Sequence, residues 1–391
     1  MRVTHLSLTD FRNYESAELE LASGPNLFVG SNGQGKTNLV EALGFLSTLG
    51  SHRVSTDHAM IRAGRDAAIV RARLENGERS VLAEVQINRT GANRAQINRS
   101  AIKTRDLPRY FSSVLFAPED LALVRGDPSG RRRFLDELLV LRSPRMSGVI
   151  ADYERVVKQR NTLLKSARAS GARGNQLSTL DIWDDRLVIL GSEIIDARRS
   201  LVAELLPEVT AAYTAIAGAD HAAGLTSSLS ILDSGNSDPE ASTNSTPTAP
   251  PANMSKLETN EFFRSALVRL RRAELERGLT LAGPHRDDLV LMLNSLPARG
   301  YASHGESWSF ALSLKLASAA VLRRETNSGD PVLILDDVFA ELDESRRGRL
   351  ADAVEDFEQV LITAAVQNDV PERLAAHVVK IRAGHIVSEE S

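Results

Sequence analysis

The chain has 391 residues, of which 25% are charged, and its 47 basic and 51 acidic side chains leave a formal net charge of −4. This near balance excludes a polycation, so any contact with nucleic acid must come from local basic patches. The absence of cysteine excludes disulfides, thiol catalysis and cysteine-based zinc sites. No apolar stretch is long enough for a signal peptide or a membrane span, and we therefore expect a cytoplasmic protein.

The N-terminal third is predicted to consist mainly of strands. Alternating apolar and polar residues predict two strands before residue 22, and the apolar run that ends at Val29 predicts a third. Segments 67–74, 81–88 and 94–99 predict an antiparallel β-meander, because the Asn76-Gly77 pair between two alternating segments is a strong hairpin signal. A further buried strand is predicted at residues 114–117.

The pattern becomes helical from Asp127 to about Gly283. Apolar residues recur at three- and four-residue steps, and they form the clearest seam between Trp183 and Leu201. Residues 234–255 are rich in Ser, Thr and Pro with almost nothing to bury, so they predict a disordered loop. Beyond residue 284, strands alternate with helices, and the apolar strands at 289–293, 332–335 and 359–363 predict a parallel sheet covered on both faces.

These patterns predict one α/β head that is interrupted by a helical insertion. The head would comprise residues 1–129 and 284–391, and the insertion residues 130–283. Both parts of the head are needed for the site described next, because its motifs lie on either side of the insertion.

A glycine-rich segment at residues 30–37 matches the pattern GxxxxGK[ST] between a predicted strand and a predicted helix. Glycines allow backbone N–H groups to approach a phosphate, and the N-terminus of the helix adds positive potential. Lys36 can reach the β- and γ-phosphates, and the Thr37 hydroxyl can ligate Mg²⁺. We therefore predict a nucleotide site that is formed by Gly30, Ser31, Asn32, Gly33, Gln34, Gly35, Lys36 and Thr37.

A pair of acidic residues, Asp336 and Asp337, follows four apolar residues in a Walker B arrangement. Asp336, at the carboxyl end of a predicted strand, can hold Mg²⁺ directly or through water. Asp337 is placed to orient or deprotonate an attacking water molecule. Two acids after a strand are often only a turn, but their combination with the glycine loop favours a nucleotide site.

The segment Ser303-His304-Gly305-Glu306 opens a predicted helix just before the Walker B strand. A serine and a glycine at a helix N-terminus can present a hydroxyl and N–H groups to a phosphate. The same residues fit a capping box in which Ser303 is the N-cap and Glu306 lies three residues later. From these residues alone, the capping box is the simpler interpretation.

The order of the motifs resembles that of the ABC-type ATPases of the SMC group, in which a long helical insertion separates the glycine loop from the signature and Walker B motifs. Further segments are similar to the motif series of the RecF family of bacterial recombination-mediator ATPases; they are residues 10–14, 51–53, 116–121, 131–136, 159–161, 283–289 and 336–343. The resemblance covers nearly the whole chain. It implies an ABC-type P-loop ATPase head, with a mixed sheet and an antiparallel β-meander, that carries an α-helical hairpin arm.

The resemblance also implies that two heads close face to face around two ATP molecules and Mg²⁺. Ser303 and Gly305 would reach the γ-phosphate that is held by the other copy, and Asp343 would lie at the interface. The catalytic residues would be Asp337, Lys36 and Ser303, and the metal ligands would be Thr37 and Asp336. Hydrolysis would be weak and would act as a conformational switch.

Two further motifs receive a role through the resemblance alone. Thr363 lies where these ATPases carry a γ-phosphate sensor, and Glu119 and Asp120 lie near the lid that couples the nucleotide to the arm. The implied function is an ATP-dependent clamp on DNA in gap repair, replication restart and SOS induction. The implied partners are DNA that is bound without sequence preference (single-stranded or gapped DNA included), RecR and RecO.

Candidate contacts with DNA phosphates are arginines; they are Arg53, Arg62, Arg65, Arg71, Arg73, Arg131, Arg132 and Arg133. Aromatic residues make up only 5% of the chain, which favours salt-sensitive binding of the DNA backbone over base stacking. Two alternatives stay open, the cytosolic ATPase subunit of an ABC transporter and a metabolic P-loop kinase. ATP-dependent dimerisation that responds to DNA would distinguish the repair protein from both.

Overall fold

The structure is a computed structural model that describes residues 1–170, 178–219, 221–233, 251, 254–325 and 329–387. The chain divides into two compact units. Unit 1 comprises Met1–Val124, Glu208–His221 and Ala302–Ser391, and unit 2 comprises Arg125–Pro207 and Ala222–Tyr301. Both units are therefore assembled from segments that are distant in the sequence.

The secondary structure of the described residues begins with β1 (Arg2–Phe11), β2 (Tyr14–Glu20), β3 (Gly24–Val29), α1 (Lys36–Thr48), β4 (Ala67–Asn76), β5 (Arg79–Asn88), β6 (Arg94–Ile97), β7 (Ser100–Ile102), β8 (Ser113–Phe116) and α2 (Leu121–Arg125). The middle contains α3 (Pro128–Arg142), α4 (Arg145–Ser170), α5 (Ser178–Ala217), β9 (Gly224–Ser228), α6 (Lys256–Arg277), β10 (Asp288–Leu293), β11 (Leu296–Pro297) and α7 (Ala298–Tyr301). The chain continues with α8 (His304–Glu325), β12 (Val332–Asp336), α9 (Glu344–Val354), β13 (Gln359–Ala364), β14 (His377–Arg382) and β15 (His385–Val387).

The central sheet of unit 1 has the strand order β15-β14-β3-β13-β12-β8. Its five strands from β14 to β8 are parallel, and β15 pairs antiparallel at the edge. Every residue of β12 and β13 is buried, as the continuous apolar runs predict for a parallel sheet with both faces covered. The carboxyl ends of β3, β12 and β13 therefore meet at one edge, where the glycine loop and the two acids lie.

The second sheet of unit 1 is antiparallel, with the order β2-β1-β4-β5-β6-β7. The predicted meander is confirmed: Asn76 pairs with Arg79 across a hairpin, and Gly77 has a φ of +57°, which favours glycine. Alternate residues of β4 from Ala68 to Leu74 are buried, while the residues between them are more exposed. One face of this sheet therefore contributes to the core of unit 1.

Unit 2 contains helices α3 to α6 and a small antiparallel sheet with the order β11-β10-β9. The prediction of continuous helix up to Gly283 is wrong at residues 224–228, which form β9, and residues 289–293 pair with β9 instead of joining the parallel sheet. The physical reason is that β10 buries only alternate residues, as suits an antiparallel strand with one solvated face. This pairing also places residues 284–301 in unit 2, whereas the sequence analysis grouped them with the head.

The predicted Ser/Pro-rich loop at residues 234–255 lies mostly outside the described residues. Its last residue, Ser255, is the N-cap of α6 and forms a reciprocal capping box with Glu258. Among the residues that the structure describes, no helix combines the length and the apolar character that crossing a membrane requires.

A buried ionic network holds three helices of unit 2 together. Arg160 of α4 is fully buried, and its guanidinium donates hydrogen bonds to Asp184 of α5 at 2.7 Å and to Glu274 of α6 at 2.6 Å. A third bond reaches the Thr280 hydroxyl at 2.9 Å. Because an unpaired charge in this position would be strongly destabilising, Arg160 in the 159–161 motif has a structural role in unit 2.

Candidate nucleotide site

The glycine loop between β3 and α1 is packed too closely for side chains at two positions. A Cβ atom on Gly30 would lie 2.3 Å from the carbonyl oxygen of Ile381 in β14. Gly35 has a φ of +113°, and a Cβ there would lie 2.8 Å from the side chain of Asn13. Gly33 also has a positive φ, of +81°, but faces open space. The sequence therefore needs glycine at these positions for backbone geometry and for close approach.

Lys36 is buried inside the curve of this loop, with 3% of its surface exposed. Its ammonium group donates a hydrogen bond to the carbonyl of Gly30 at 2.7 Å and a longer one to that of Ser31 at 3.4 Å. No acidic side chain is needed to hold the cation in place, because two backbone carbonyls do so. The loop therefore presents a fixed positive charge beside the N-terminus of α1, an arrangement that suits a phosphate.

The predicted magnesium ligands lie together. The Thr37 hydroxyl donates to Oδ1 of Asp336 at 2.9 Å, and the Thr363 hydroxyl donates to the same oxygen at 2.6 Å. The Thr363 hydroxyl also accepts a hydrogen bond from the backbone N–H of Asp337 at 2.9 Å. The register of the parallel strands, in which Asp336 lies opposite Thr363, brings these side chains to the same edge.

These residues fit a magnesium nucleotide. A hydroxyl and a carboxylate are hard oxygen ligands, and protein Mg²⁺ sites usually combine one or two carboxylates with water and phosphate oxygens. Within the described part of the chain, no group of three or more His, Cys, Asp or Glu side chains could hold a metal by itself. Phosphate and water oxygens would therefore have to complete the coordination that Thr37 and Asp336 begin.

Two buried polar atoms at this edge have no hydrogen-bond partner among the residues that the structure describes: Oδ1 of Asp337 and Nε2 of His52. Burial raises the pKa of Asp337; the charge of Lys36 lowers it in part, and that of Asp336 raises it further. A carboxylate with a raised pKa and an acceptor atom available is suited to take a proton from water. His52 Nε2 lies 3.6 Å from Oδ2 of Asp336, so this side chain belongs to the site.

Sequence reasoning missed His52. The segment 51–53 resembles a family motif, but nothing in its local pattern connects His52 to an acid almost 300 residues later. Its place directly after the helix that follows the glycine loop was the one available signal.

A buried carboxylate fixes the surroundings of the loop. Glu41 of α1 is 1% exposed and accepts two hydrogen bonds from Arg12, at 2.8 and 2.6 Å, and a further one from the Ser51 hydroxyl. The Tyr14 hydroxyl donates to the carbonyl of Gly35 at 3.2 Å. These bonds hold the 10–14 and 51–53 motifs against α1, which explains why both accompany the glycine loop.

The signature segment forms the capping box that the residues alone suggest. The Ser303 hydroxyl accepts from the N–H of Glu306 at 3.3 Å, and Glu306 accepts from the N–H of Ser303 at 2.7 Å. These hydrogen bonds from Ser303 lower the pKa of Glu306. Ser303 is exposed, and no hydrogen bond or ion pair among the described residues joins Ser303 or Gly305 to the segment 30–37. The structure therefore does not bring the signature and the glycine loop together through direct bonds within one chain.

Arg346 connects the signature to the predicted interface residue Asp343. Its guanidinium donates to Asp343 and, at 3.2 Å, to the Ser309 hydroxyl, while Asp343 also caps α9 by accepting from the N–H of Arg346 at 2.9 Å. A Cβ on Gly305 would lie 2.9 Å from this guanidinium, so the arginine covers the glycine. Gly305, Asp343 and Arg346 therefore form one surface of unit 1.

The lid motif after β8 also contacts the signature helix. Asp120 accepts a hydrogen bond from the N–H of Ala117 at 2.8 Å and forms an ion pair with Lys315 of α8 at 2.9 Å. Glu119 is exposed. This ion pair therefore joins the predicted lid segment to α8.

Most arginines that were predicted to contact DNA are partly neutralised by acids. Arg62 pairs with Asp10 and Glu15, at 3.3 and 2.9 Å. The same holds for further arginines in ion pairs, which are Arg53 with Glu41, Arg65 with Asp10, Arg71 with Glu84, Arg131 with Asp288 and Arg133 with Glu137. Arg73 is exposed, and no ion pair joins it to a described carboxylate. Because these arginines are paired with acids, they attract phosphate less strongly than the same number of unpaired arginines would.

Comparisons with known proteins support the motif series as a whole. Residues 2–386 match the family described as RecF/RecN/SMC N terminal domain. The chain is 65% identical to the DNA replication and repair protein RecF of Clavibacter sepedonicus, over 99% of this chain and 95% of that protein.

Two solved structures of the recombination mediator protein RecF in the RecFOR pathway are also similar. The one named RecF-ATPrS has a TM-score of 0.86 at 26% identity and covers 100% of this chain and 98% of its own. The one named RecF-ATP has a TM-score of 0.85 at 27% identity and covers 98% of this chain and 96% of its own. The predicted fold class, an ABC-type ATPase head with an inserted helical segment, is confirmed by these likenesses.

Proposed function

We propose that this chain, which belongs to the RecF family of DNA replication and repair proteins, is an ATP-driven clamp on DNA. A role in ATP-dependent DNA repair follows from membership of that family. The finer statement, that two copies close around two ATP molecules and hold DNA between them, is the proposal. Gap repair, replication restart and SOS induction are the processes in which such a clamp would act, and a cytoplasmic location would give it access to the chromosome.

One observation carries the proposal. The Thr37 hydroxyl and the Asp336 carboxylate lie 2.9 Å apart beside Lys36, although 299 positions separate them in the chain. This arrangement suits the phosphates of a nucleotide, and the same edge contains two buried polar atoms without a hydrogen-bond partner among the described residues.

The residues of unit 1 would act as follows. Bound ATP and Mg²⁺ supply a polarised phosphoanhydride bond, which water can cleave. Lys36 would balance the charge of the β- and γ-phosphates, and Oδ1 of Asp337 would accept the proton of the attacking water. Thr363 holds the carboxylate of Asp336 and the backbone N–H of Asp337, and so fixes the angle between the two acids.

The second half of the site would come from another copy of the chain. Ser303 and Gly305 are exposed or partly exposed at the N-terminus of α8, and no bond ties them to the glycine loop of their own chain within the described residues. A hydroxyl and backbone N–H groups at a helix N-terminus suit the γ-phosphate that the other copy holds. ATP would therefore join two copies, and the closed dimer would double any basic surface that attracts DNA.

The partners of the clamp are further parts of the proposal. DNA would be bound through its backbone, without sequence preference, and RecR and RecO would be protein partners, since the two similar structures are named as parts of the RecFOR pathway.

The test is the mass of the protein in solution with and without ATP and Mg²⁺. We expect a monomer that dimerises with ATP, and a longer-lived dimer for Asp337→Asn because hydrolysis no longer reopens it. Lys36→Met should stay monomeric through lost nucleotide binding. Ser303→Arg should bind ATP yet stay monomeric, since the change affects only the contact with the other copy.

Wild-type protein that binds ATP but stays monomeric, with DNA present as well as without it, would contradict the dimer clamp. A Ser303→Arg variant that dimerises as readily as the wild type would remove the signature from the mechanism. Either result would leave the nucleotide site of unit 1 intact.

A further inference from the structure

Unit 2 contains a cavity of about 770 Å³ between α3 and α4, which is also lined by α5 and by Pro284 and His285. A volume of this size is typical of sites for small molecules and is too small for a DNA duplex. Part of the wall is apolar, through Ile150, Val157 and Ile194. The motifs at 131–136, 159–161 and 283–289 all contribute residues to this cavity, although the nucleotide site uses none of them.

The charged groups of the wall are unequal in number. The five basic side chains are Arg132, Arg133, Lys158, Lys165 and Arg198, and the three acidic ones are Asp136, Glu137 and Glu154. Two pairs are internal: Arg198 binds Asp136 through two hydrogen bonds of 2.8 and 2.7 Å, and Arg133 binds Glu137 at 2.6 Å. Outside these pairs the wall contains three cations, Arg132 and the two lysines, and one acid, Glu154, so two positive charges are in excess.

Arg132 is the most constrained of these three cations. It is half-buried, and it donates a hydrogen bond to the backbone carbonyl of Asp287 at 2.9 Å. No ion pair joins it to a carboxylate within the part of the chain that the structure describes. Burial and the nearby charge of Arg198 lower the pKa of Arg132, and the charges of Asp288 and Asp287 oppose this only in part, so the charge of Arg132 is incompletely compensated. An anion in the cavity would supply that compensation.

His285 lines the cavity as a neutral side chain. Its Nδ1 lies 2.7 Å from the Tyr153 hydroxyl and its Nε2 lies 3.3 Å from the carbonyl of Thr280. A carbonyl only accepts, so Nε2 carries the proton and Nδ1 accepts from Tyr153. Burial lowers the pKa of His285 to about 4, so the ring is neutral at physiological pH. It therefore adds nothing to the two excess positive charges of the cavity wall.

We propose that this cavity binds a phosphomonoester, the terminal phosphate of a nucleotide, between Arg132, Lys158 and Lys165. A phosphomonoester carries about −1.5 to −2 charges at pH 7, which matches the excess of two. A carboxylate or an internal phosphodiester carries only one negative charge. The apolar wall beside the cations suits the sugar and base, and the volume accommodates one nucleotide rather than a strand. The site lies within unit 2 and is separate from the ATP site of unit 1.

Two kinds of molecule carry such a terminal phosphate: a free mononucleotide and a DNA strand with a phosphorylated end. Titration of the full-length Lys36→Met variant, in which the glycine loop no longer binds nucleotide, would test both. The probes are thymidine 5′-monophosphate against thymidine, and a short oligonucleotide with a 5′-phosphate against the same oligonucleotide with a 5′-hydroxyl. Binding is followed by calorimetry and by fluorescence anisotropy.

We expect at least one phosphorylated probe to bind about tenfold or more tightly than its unphosphorylated counterpart, because charge-assisted hydrogen bonds are lost with the phosphate. Lys158→Gln and Lys165→Gln should each reduce that preference several-fold. Both lysines are exposed, so neither change should disturb folding. The matched control is Arg155→Gln on the same helix, since Arg155 is also exposed, does not line the cavity and should leave the preference unchanged.

The probe that binds identifies the source of the phosphate. Binding of thymidine monophosphate alone indicates a free nucleotide, and binding of the phosphorylated oligonucleotide indicates a strand end. Equal affinity for phosphorylated and unphosphorylated probes would overturn the proposal. A preference that persists in both lysine variants and in Arg132→Gln would place the phosphate elsewhere and overturn it too. Neither outcome depends on ATP-driven dimerisation, so failure here is distinct from failure of the clamp.

Discussion

Thr363 is the residue through which the two acids of the nucleotide site are held. Its hydroxyl donates to Asp336 at 2.6 Å and accepts from the N–H of Asp337 at 2.9 Å, and the side chain is fully buried. Thr363→Val keeps the shape and removes both bonds, so we expect unit 1 to lose about 1–3 kcal/mol of unfolding free energy. Thr363→Ser keeps the hydroxyl and should lose much less.

Urea denaturation measures this loss. The chain has two tryptophans, Trp308 in unit 1 and Trp183 in unit 2, so a Trp183→Phe background reports on unit 1 alone. Equal stability of the Val and Ser variants would show that the hydroxyl does not hold the acids.

His285 and Asp287 make the stability of unit 2 depend on pH in opposite directions. Burial lowers the pKa of His285 from 6.5 to about 4, so the stability it contributes is present above pH 6.5 and is lost as the pH falls towards 4. Burial raises the pKa of Asp287 from 3.8 to about 6, and hydrogen bonds from Ser230 only partly oppose this. The contribution of Asp287 is therefore present below pH 3.8 and is lost as the pH rises through 6.

The two substitutions should separate these effects. Relative to the wild type, Asp287→Asn should lose about 2 kcal/mol between pH 6 and pH 4, because it no longer gains from protonation. His285→Gln should show the opposite trend and gain a similar amount over pH 6.5 to 4. Denaturation in a Trp308→Phe background, which leaves Trp183 as the reporter, measures both. Parallel curves for both variants and the wild type would refute the assignment.

The residues of the candidate site could be predicted wherever a local pattern specifies them. Lys36, Thr37, Asp336 and Asp337 lie in short motifs whose chemistry depends on neighbours in the sequence, and the structure brings all four to one edge. His52 could not be assigned in this way. Its relation to Asp336 exists only because α1 and β12 pack side by side, which no spacing in the sequence expresses.

Gly30 illustrates how the glycine loop depends on an element at the far end of the chain. Because a Cβ on Gly30 would lie 2.3 Å from a carbonyl of β14, Gly30→Ala must push the loop and the strand apart. We expect this strain, roughly 1–3 kcal/mol, to weaken ATP binding by about tenfold or more. Titration with a fluorescent ATP analogue in the presence of Mg²⁺ measures the effect.

Gly33→Ala is the matched control for this prediction. Gly33 has a φ of +81° but nothing within 4 Å, so the added methyl group brings backbone strain without a collision. Its effect on binding should be clearly smaller than that of Gly30→Ala. If Gly33→Ala weakens binding as much as Gly30→Ala does, contact with β14 is not what requires glycine at position 30.

Elements were predictable where burial leaves a periodic or continuous apolar pattern. The buried strands β12 and β13 and the hairpin between β4 and β5 follow from such patterns. The small sheet of unit 2 does not, since β9 and β10 pair although about 60 residues, α6 among them, separate them in the sequence. The same applies to β14, which finds its place in the central sheet by pairing with β3 at the other end of the chain.

At the scale of the molecule, the end of α5 shows why domain limits are hard to read from sequence. Helix α5 continues without a break from unit 2 into unit 1, so no linker marks the boundary at Pro207. Its last turns pack on the signature helix: Glu208 pairs with Arg324 at 2.9 Å, and the rings of Tyr213 and Phe310 lie 5.7 Å apart. The helical segment thus reaches α8 directly within unit 1. Whether it acts as the predicted arm stays a proposal.

A composite site predicts that two inactive variants can restore each other. Lys36→Met lacks a working glycine loop but keeps its signature, and Ser303→Arg keeps its glycine loop but lacks a working signature. In a mixed dimer, one site combines the intact loop of the second variant with the intact signature of the first. The other site carries both defects.

Mixing the two proteins should therefore produce ATP-dependent dimers and hydrolysis that neither variant shows alone. A mass measurement with one variant carrying a fluorescent label identifies the mixed dimer, and a mixture of Lys36→Met with the double variant Lys36→Met/Ser303→Arg is the control without any intact site. Restoration requires that Ser303 acts on the nucleotide of the other copy, because a site completed within one chain would stay defective in every pairing. A mixture as inactive as its components would confine Ser303 to the capping of α8.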